Sequence, residues 1–341
     1  MSGHGGHRIE GSSRSQRICL LGATGTIGRA TVRALVARGH EVVCLVRHGA
    51  DRRDRRMYEL REVLSGASVR LASVTDPASL ARDGFCNERF DVLVSCMASR
   101  TGEPRDAWAV DYQAHVNVLQ AARSAGVGHF VLLSAICVQK PRLAFQYAKL
   151  AFEKALAESG IAYTIVRPTA FFKSLSGQIE RVLRGKPFMV FGDGRLTACK
   201  PVSDRDMAEY LADCLEGARY PARILAVGGP GEAITPRQQG EQLFALIGRP
   251  PRFQHVPVKL LDATIGVLSA ASRIVSAVAV KAELARIGRY YATESMLLWD
   301  AERACYDAAA TPSTGRDTLF DFYSSVVNSG QLPSLGDHAV F

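Results

Sequence analysis

Residues 17–48 read RICLLGATGTIGRATVRALVARGHEVVCLVRH. The first five, Arg17–Leu21, form an apolar run of strand length that ends in Gly22-Ala-Thr-Gly25-Thr-Ile-Gly28. Ala30, Val32, Leu35 and Val36 then recur at helical spacing as far as Gly39, and His40–Val46 is a second, β-branched strand. A strand, a glycine turn, a helix and a parallel strand make the unit that holds a dinucleotide. Glycine lets the backbone approach a pyrophosphate, and the helix N-terminus favours its charge. Gly22, Thr24, Gly25, Thr26, Ile27 and Gly28 are therefore the expected cofactor turn.

The end of the second strand selects the cofactor. An acidic residue there would bind the ribose hydroxyls of NAD. Here the position is Arg47, whose planar fork suits a 2′-phosphate, so NADPH is expected. The arginines of DRRDRR (51–56) read mostly as a solvated loop.

The alternation continues outward. SVRLASVTD (68–76) is a third strand, with Asp76 in reach of an adenine. FDVLVSCMAS (90–99) is a fourth, whose end, Met97 and Ala98, should border the cofactor. HFVLLSA (129–135) ends in Ser134, YTIVRPTAFF (163–172) carries Pro168, Thr169, Phe171 and Phe172, and ILAVGG (224–229) returns late. Strands alternating with helices predict an α/β fold, a Rossmann-type doubly wound parallel sheet with ligands at the strands' carboxyl ends. The expected organisation is a floppy lead-in (1–16), a nucleotide-binding core (17–250) with a substrate-side insertion near 176–201, and a smaller, mostly helical C-terminal part (251–341). Gly-Arg-Pro-Pro at 248–251 marks that boundary.

Composition narrows the class. The chain has 341 residues, a net charge of +9 and eight cysteines. The positive charge suits anionic ligands, and no nucleic-acid motif accompanies it. No CxxC pair or His/Cys cluster has metal-site spacing, so reduced thiols in a cytoplasmic setting and no protein-bound metal are expected. LLDATIGVLSAASRIVSAVAV (260–280) is apolar, but Arg273 near its middle opposes a membrane span. Asp262, Gly266, Ser269, Arg273 and Ser276 form one polar stripe, which predicts a packed helix or a lid touching something apolar, such as a membrane surface.

The G-x-x-G-x-x-G turn resembles the short-chain dehydrogenase/reductase superfamily in its extended or atypical branches. Members often carry Tyr-x-x-x-Lys, the tyrosine giving a proton to a carbonyl and the lysine binding the nicotinamide ribose. Here FQYAKL (145–150) keeps Lys149 but has Phe145 four residues earlier. Tyr147 lies about 200° round the helix from Lys149 and cannot replace it. Without the superfamily, Lys149 would read as an exposed partner of Glu153.

Three blocks, LLSAICVQKP (132–141), RPTAFFKSLSGQIERVLRGKPFMVFGDGRLTACKPVSDRDMA (167–208) and GRYYATESML (288–297), and the ending TPSTGRDTLFDFY (311–323), resemble the NADPH-dependent divinyl chlorophyllide 8-vinyl reductases. The resemblance spans most of residues 17–341 and is weakest at 255–285. It implies reduction of the C8 vinyl group of 3,8-divinyl chlorophyllide a, or the corresponding protochlorophyllide, in chlorophyll or bacteriochlorophyll synthesis. It explains Phe145: a vinyl group has no oxygen to protonate, and the ring offers an apolar face to a flat tetrapyrrole. Ser134, Tyr290 and Tyr291 are then candidates to orient or donate the proton, and Phe171 and Phe172 to line the pigment. Lys173, Lys200 or Arg289 is expected to meet its propionate. Any magnesium arrives within the substrate. The alternatives are a reductase of another conjugated molecule, a non-catalytic NADP-binding sensor, or a subunit of a larger complex. The oligomeric state is not fixed by the sequence.

Overall fold

The computed structural model describes residues 15–47, 53–215, 222–272 and 277–333. The lead-in up to 14, residues 48–52, Arg273 and Ser276 lie outside the described residues, and the arginine run expected as a loop is helical where it is described, in Arg53–Val63.

The strands in chain order are β1 (Arg17–Leu21), β2 (Glu41–Val46), β3 (Ser68–Leu71), β4 (Val92–Ser95), β5 (His129–Leu133), β6 (Ala162–Pro168), β7 (Phe188–Phe191), β8 (Arg223–Val227), β9 (Phe253–Val256), β10 (Leu298–Asp300) and β11 (Cys305–Asp307). Seven of them form one sheet in the order β3-β2-β1-β4-β5-β6-β8, and every pairing in it is parallel. The chain reverses direction of growth between β1 and β4, which is where a doubly wound sheet opens a crevice.

Period-two alternation places the core on both faces. Ile18, Leu20, Val42 and Cys44 enter one layer with Val32 and Leu35 of the helix Thr26–Ala37. Cys19, Leu21, Val43 and Leu45 enter the other with Phe130 and Phe152. Strands covered on both sides read as continuous apolar runs, as β1, β2 and β5 do. All eight cysteines are free.

The insertion and the C-terminal part are sewn together. β7, from the insertion, pairs in parallel with β9, which begins just past the 248–251 boundary. This small sheet was not expected from the sequence, where four-residue strands leave little signal. The apolar 260–280 segment is not one helix. Val258–Ser272 and Ala277–Thr293 pack against each other, with Asp262 bonded to Arg289 and Ser269 to Arg286. No residue of Val258–Ser272 is buried, and Leu260 and Val267 are 57% and 70% exposed, so it is not a core helix. Among the described residues, no helix is long and apolar enough to cross a membrane.

Candidate active site

The glycine turn sits where the sheet order reverses. Gly22 has φ +76°, and a Cβ there would lie 2.6 Å from the Cys96 carbonyl and 2.8 Å from the Met97 amide. A Cβ on Gly28 would lie 2.1 Å from the Gly22 oxygen. The two glycines thus let the turn close on itself and on the end of β4, which brings Met97 and Ala98 beside it. Thr24, Gly25 and Thr26 face solvent at the start of a helix with no acid in its first turn. Arg47 is exposed at the end of β2. Asp76 is exposed after β3, where its carboxylate caps the short helix Pro77–Ser79 by accepting from the Ala78 amide at 3.0 Å.

Lys149 lies on the helix Ala144–Ala157. Its ammonium donates to Asp111 Oδ1 at 2.9 Å, not to Glu153. Asp111 is buried in a π-type segment, Trp108–Ala114, of the helical stretch that follows β4, and also accepts from the Ser99 amide at 3.2 Å. Burial pushes its carboxyl up, but Lys149 and the Ser99 amide outweigh that and hold it below the usual range. Its second oxygen, Oδ2, is buried and has no hydrogen-bond partner. Sequence reading missed Asp111; only the π-type widening, a frequent mark of functional helices, distinguishes it.

His115, one turn on, has Nδ1 2.9 Å from the Val110 carbonyl and Nε2 2.8 Å from Ser95 Oγ. Burial lowers its pKa to about 4, so it is neutral, with Nδ1–H donating to Val110. Glu153 instead joins Ser134 (Oγ to Oε1, 2.5 Å) and Arg167 in a buried knot beneath β5 and β6. The Ser134 hydroxyl is therefore committed to that knot.

The Phe145 ring is only 9% exposed, clustered with Ile136, Cys137, Ile287 and Tyr290. Its apolar face is covered by the second helix of the C-terminal pair. Tyr290 is buried, its hydroxyl donating to the carbonyls of Cys137 (3.0 Å) and Lys140 (2.9 Å). The Tyr291 hydroxyl lies 4.0 Å from the Cys137 thiol. Burial raises the pKa of both tyrosines, so both carry their protons.

The remaining candidates separate. The Thr169 hydroxyl donates to the Lys200 carbonyl. Lys200 is buried and donates to Thr311 O (3.1 Å) and Ser313 Oγ (3.2 Å), which ties the C-terminal ending to the core. Arg289 pairs with Asp262 on the exposed helix. Phe171 bridges to Val202, and Phe172 is buried against Phe322 with ring centroids 5.6 Å apart. Lys173 reaches Thr26 Oγ1 at 3.1 Å. Much of the 311–323 ending is structural: Asp206 accepts from the Arg316 and Asp317 amides, and buried Tyr323 donates to Leu175 O at 2.6 Å. Among the described residues no group of three or more His, Cys, Asp or Glu side chains could hold a metal ion.

A dinucleotide fits these residues. The turn is glycine where side chains would collide, its tip is open, and Lys149 is held in place by the buried Asp111 carboxylate.

Residues 22–218 match the NAD(P)H-binding family. The E. coli NADPH-dependent quinone oxidoreductase complexed with NADPH shares the fold, with a TM-score of 0.65 and 20% identity over 91% of this chain and all of that one. The chloroplastic divinyl chlorophyllide a 8-vinyl-reductase of Oryza sativa subsp. indica is 47% identical over 331 residues, 95% of this chain and 82% of that protein. Its Arabidopsis thaliana counterpart is 46% identical over 94% of this chain and 78% of its own. With 47% identity over 95% of its length, the chain belongs to the divinyl chlorophyllide a 8-vinyl-reductase family.

Proposed function

We infer that this protein reduces the C8 vinyl group of 3,8-divinyl chlorophyllide a, or of the matching protochlorophyllide, to ethyl. Bound NADPH would supply the hydride. The carrying observation is the Ala144–Ala157 helix. Lys149 is kept and anchored by a buried carboxylate, while a packed Phe145 stands where carbonyl chemistry needs an acid. Addition of hydride at the outer vinyl carbon leaves negative charge that the macrocycle can spread, and a proton at the inner carbon completes the ethyl group.

Each residue then has a role in this reading. Gly22–Gly28, Met97 and Ala98 seat the dinucleotide, Arg47 meets its 2′-phosphate, Asp76 its adenine, and Pro168 and Thr169 fix the floor of the nicotinamide end. Lys149 binds the ribose. Tyr291 is the better proton donor, because among the described residues its hydroxyl touches only a thiol whereas that of Tyr290 serves two carbonyls. Ser134 acts indirectly, through Glu153. Phe145, Phe171 and Phe172 shape the apolar wall, and Arg289, a third exposed, meets the propionate, exchanging Asp262 for it. The exposed face of Val258–Ser272, with Leu260 and Val267 outward and Lys259 beside them, contacts a membrane surface where the pigment partitions.

The test is turnover of purified protein with 3,8-divinyl chlorophyllide a and NADPH, pigments separated by chromatography, and NADH in parallel. The 3-vinyl, 8-ethyl product with NADPH is expected. No product while NADPH still binds would overturn the substrate and favour a sensor. With deuterated NADPH, label on the inner carbon would overturn the order of addition.

A further inference from the structure

Lys173 stands in the middle of the substrate-side block, yet its side chain points to the opposite half of the crevice. It belongs to the single turn Phe172–Leu175 that follows β6. The turn is held firmly. The Phe172 amide donates to Val202 O at 3.3 Å, its ring is buried against Phe322, and Ser176 Oγ donates to the Lys173 carbonyl at 2.7 Å. From this mount the ammonium crosses to Thr26 Oγ1, 3.1 Å away and 147 residues earlier.

Thr26 is the first residue of a twelve-residue helix, and the Thr24–Thr26 tip beside it is exposed. Arg29, in the same first turn, leans back to donate to Thr24 O at 3.0 Å. Two cations therefore converge on the positive end of a helix dipole. Among the described residues neither makes an ion pair, and the first turn contains no acid. Gathering positive charge there is unfavourable by itself. A dianion seated on the turn reverses the sign of every one of these interactions.

We propose that Lys173 is a clamp on the pyrophosphate of the dinucleotide, reaching over the glycine turn from the substrate-side segment, and is not the propionate cation. The proposal rests on the dinucleotide reading of that turn. It also makes the segment that shapes the pigment wall sense whether the cofactor is in place, because Lys173 and Phe172 share one rigid turn.

The experiment compares the full chain with Lys173→Met and Lys173→Arg by calorimetric titration. The probes are ADP-ribose, which has the pyrophosphate but no 2′-phosphate, and 2′-AMP, which has the reverse. Loss of a charge-assisted contact should weaken ADP-ribose in Lys173→Met by about tenfold or more. 2′-AMP should bind as before, which also reports an intact fold, and Lys173→Arg should restore most of the ADP-ribose affinity. Unchanged ADP-ribose affinity in Lys173→Met would overturn the clamp. So would a rise confined to the KM for the divinyl pigment, which would return Lys173 to the propionate. Failure of the unsubstituted protein to bind ADP-ribose would instead sink the dinucleotide reading on which the clamp depends.

Discussion

The glycine turn and the first helix of the C-terminal pair are built on opposite principles. Around the turn, atoms are packed so tightly that one added Cβ would collide with backbone. In the helix pair, Val258–Ser272 buries no residue at all and displays large apolar side chains to solvent. A cofactor of fixed shape is met by a preformed seat. In the proposed reading a broad, poorly soluble pigment meets the loosely held first helix, while the second helix clusters with Phe145 through Ile287 and Tyr290. Rigidity in this molecule follows the ligand.

Breaking the rigid side should cost most. Asp111→Ala would leave the largely covered Lys149, 12% exposed, without its counter-charge, and a loss of about 3 kcal/mol is expected in urea denaturation. A loss under about 1 kcal/mol would mean the pair is solvated and the crevice floor is not preformed. At the junction of the two sides, Tyr291→Phe should lower turnover roughly 10²–10⁴-fold with little change in fold. Tyr290→Phe should act mainly on stability, because two carbonyls lose their donor. Near-normal turnover in Tyr291→Phe would remove it as the acid.

Acid should also reach the rigid side first. His115 has a pKa lowered to about 4 by burial, whereas the unfolded chain takes up its proton near 6.5. The unfolded state thus binds more protons between those values. Stability should be full above about pH 6.5 and fall on the order of 2–3 kcal/mol by pH 4. Asp111, held below the ordinary carboxylate range, adds loss in the same direction as pH falls through its lowered value. Denaturation midpoints that stay level from pH 7 to 5 would contradict this. The smallest expected effect is on the loose side. Leu260→Ser with Val267→Ser should change folding stability by no more than about 0.5 kcal/mol each. It should abolish co-sedimentation with anionic vesicles; unchanged sedimentation would refute the membrane contact.

The same contrast explains what the sequence could reveal. The sheet was legible because its strands are covered on both faces and so appear as uninterrupted Val, Leu and Ile. The cofactor turn was legible because its geometry admits only glycine at Gly22 and Gly28. Lys149 was legible through its helix, but its partner Asp111 was not, since the two are 38 residues apart and meet only after the sheet has formed. Lys200 read as a candidate for the propionate because nothing local shows that residues 311–313 supply acceptors deep inside. Lys173 read as a substrate contact from its neighbours in sequence, whereas its side chain answers to Thr26. Residue types and periods describe elements; they do not say across which gap a long side chain will reach.

The order in which the chain is made gives the C-terminal ending a further meaning. Phe172 rests on Phe322, Leu175 accepts from Tyr323, and Asp206 is satisfied by the amides of Arg316 and Asp317. Each of these partners lies more than a hundred residues further along the chain and is synthesised correspondingly later. Until they arrive, the apolar bed of Phe172, Ile179, Val182, Leu243 and Phe244 lacks its cover from Leu319, Tyr323 and Val326. A nascent chain can therefore form its nucleotide fold early while its pigment side stays unfinished, and a truncated product would be a ready client for chaperones.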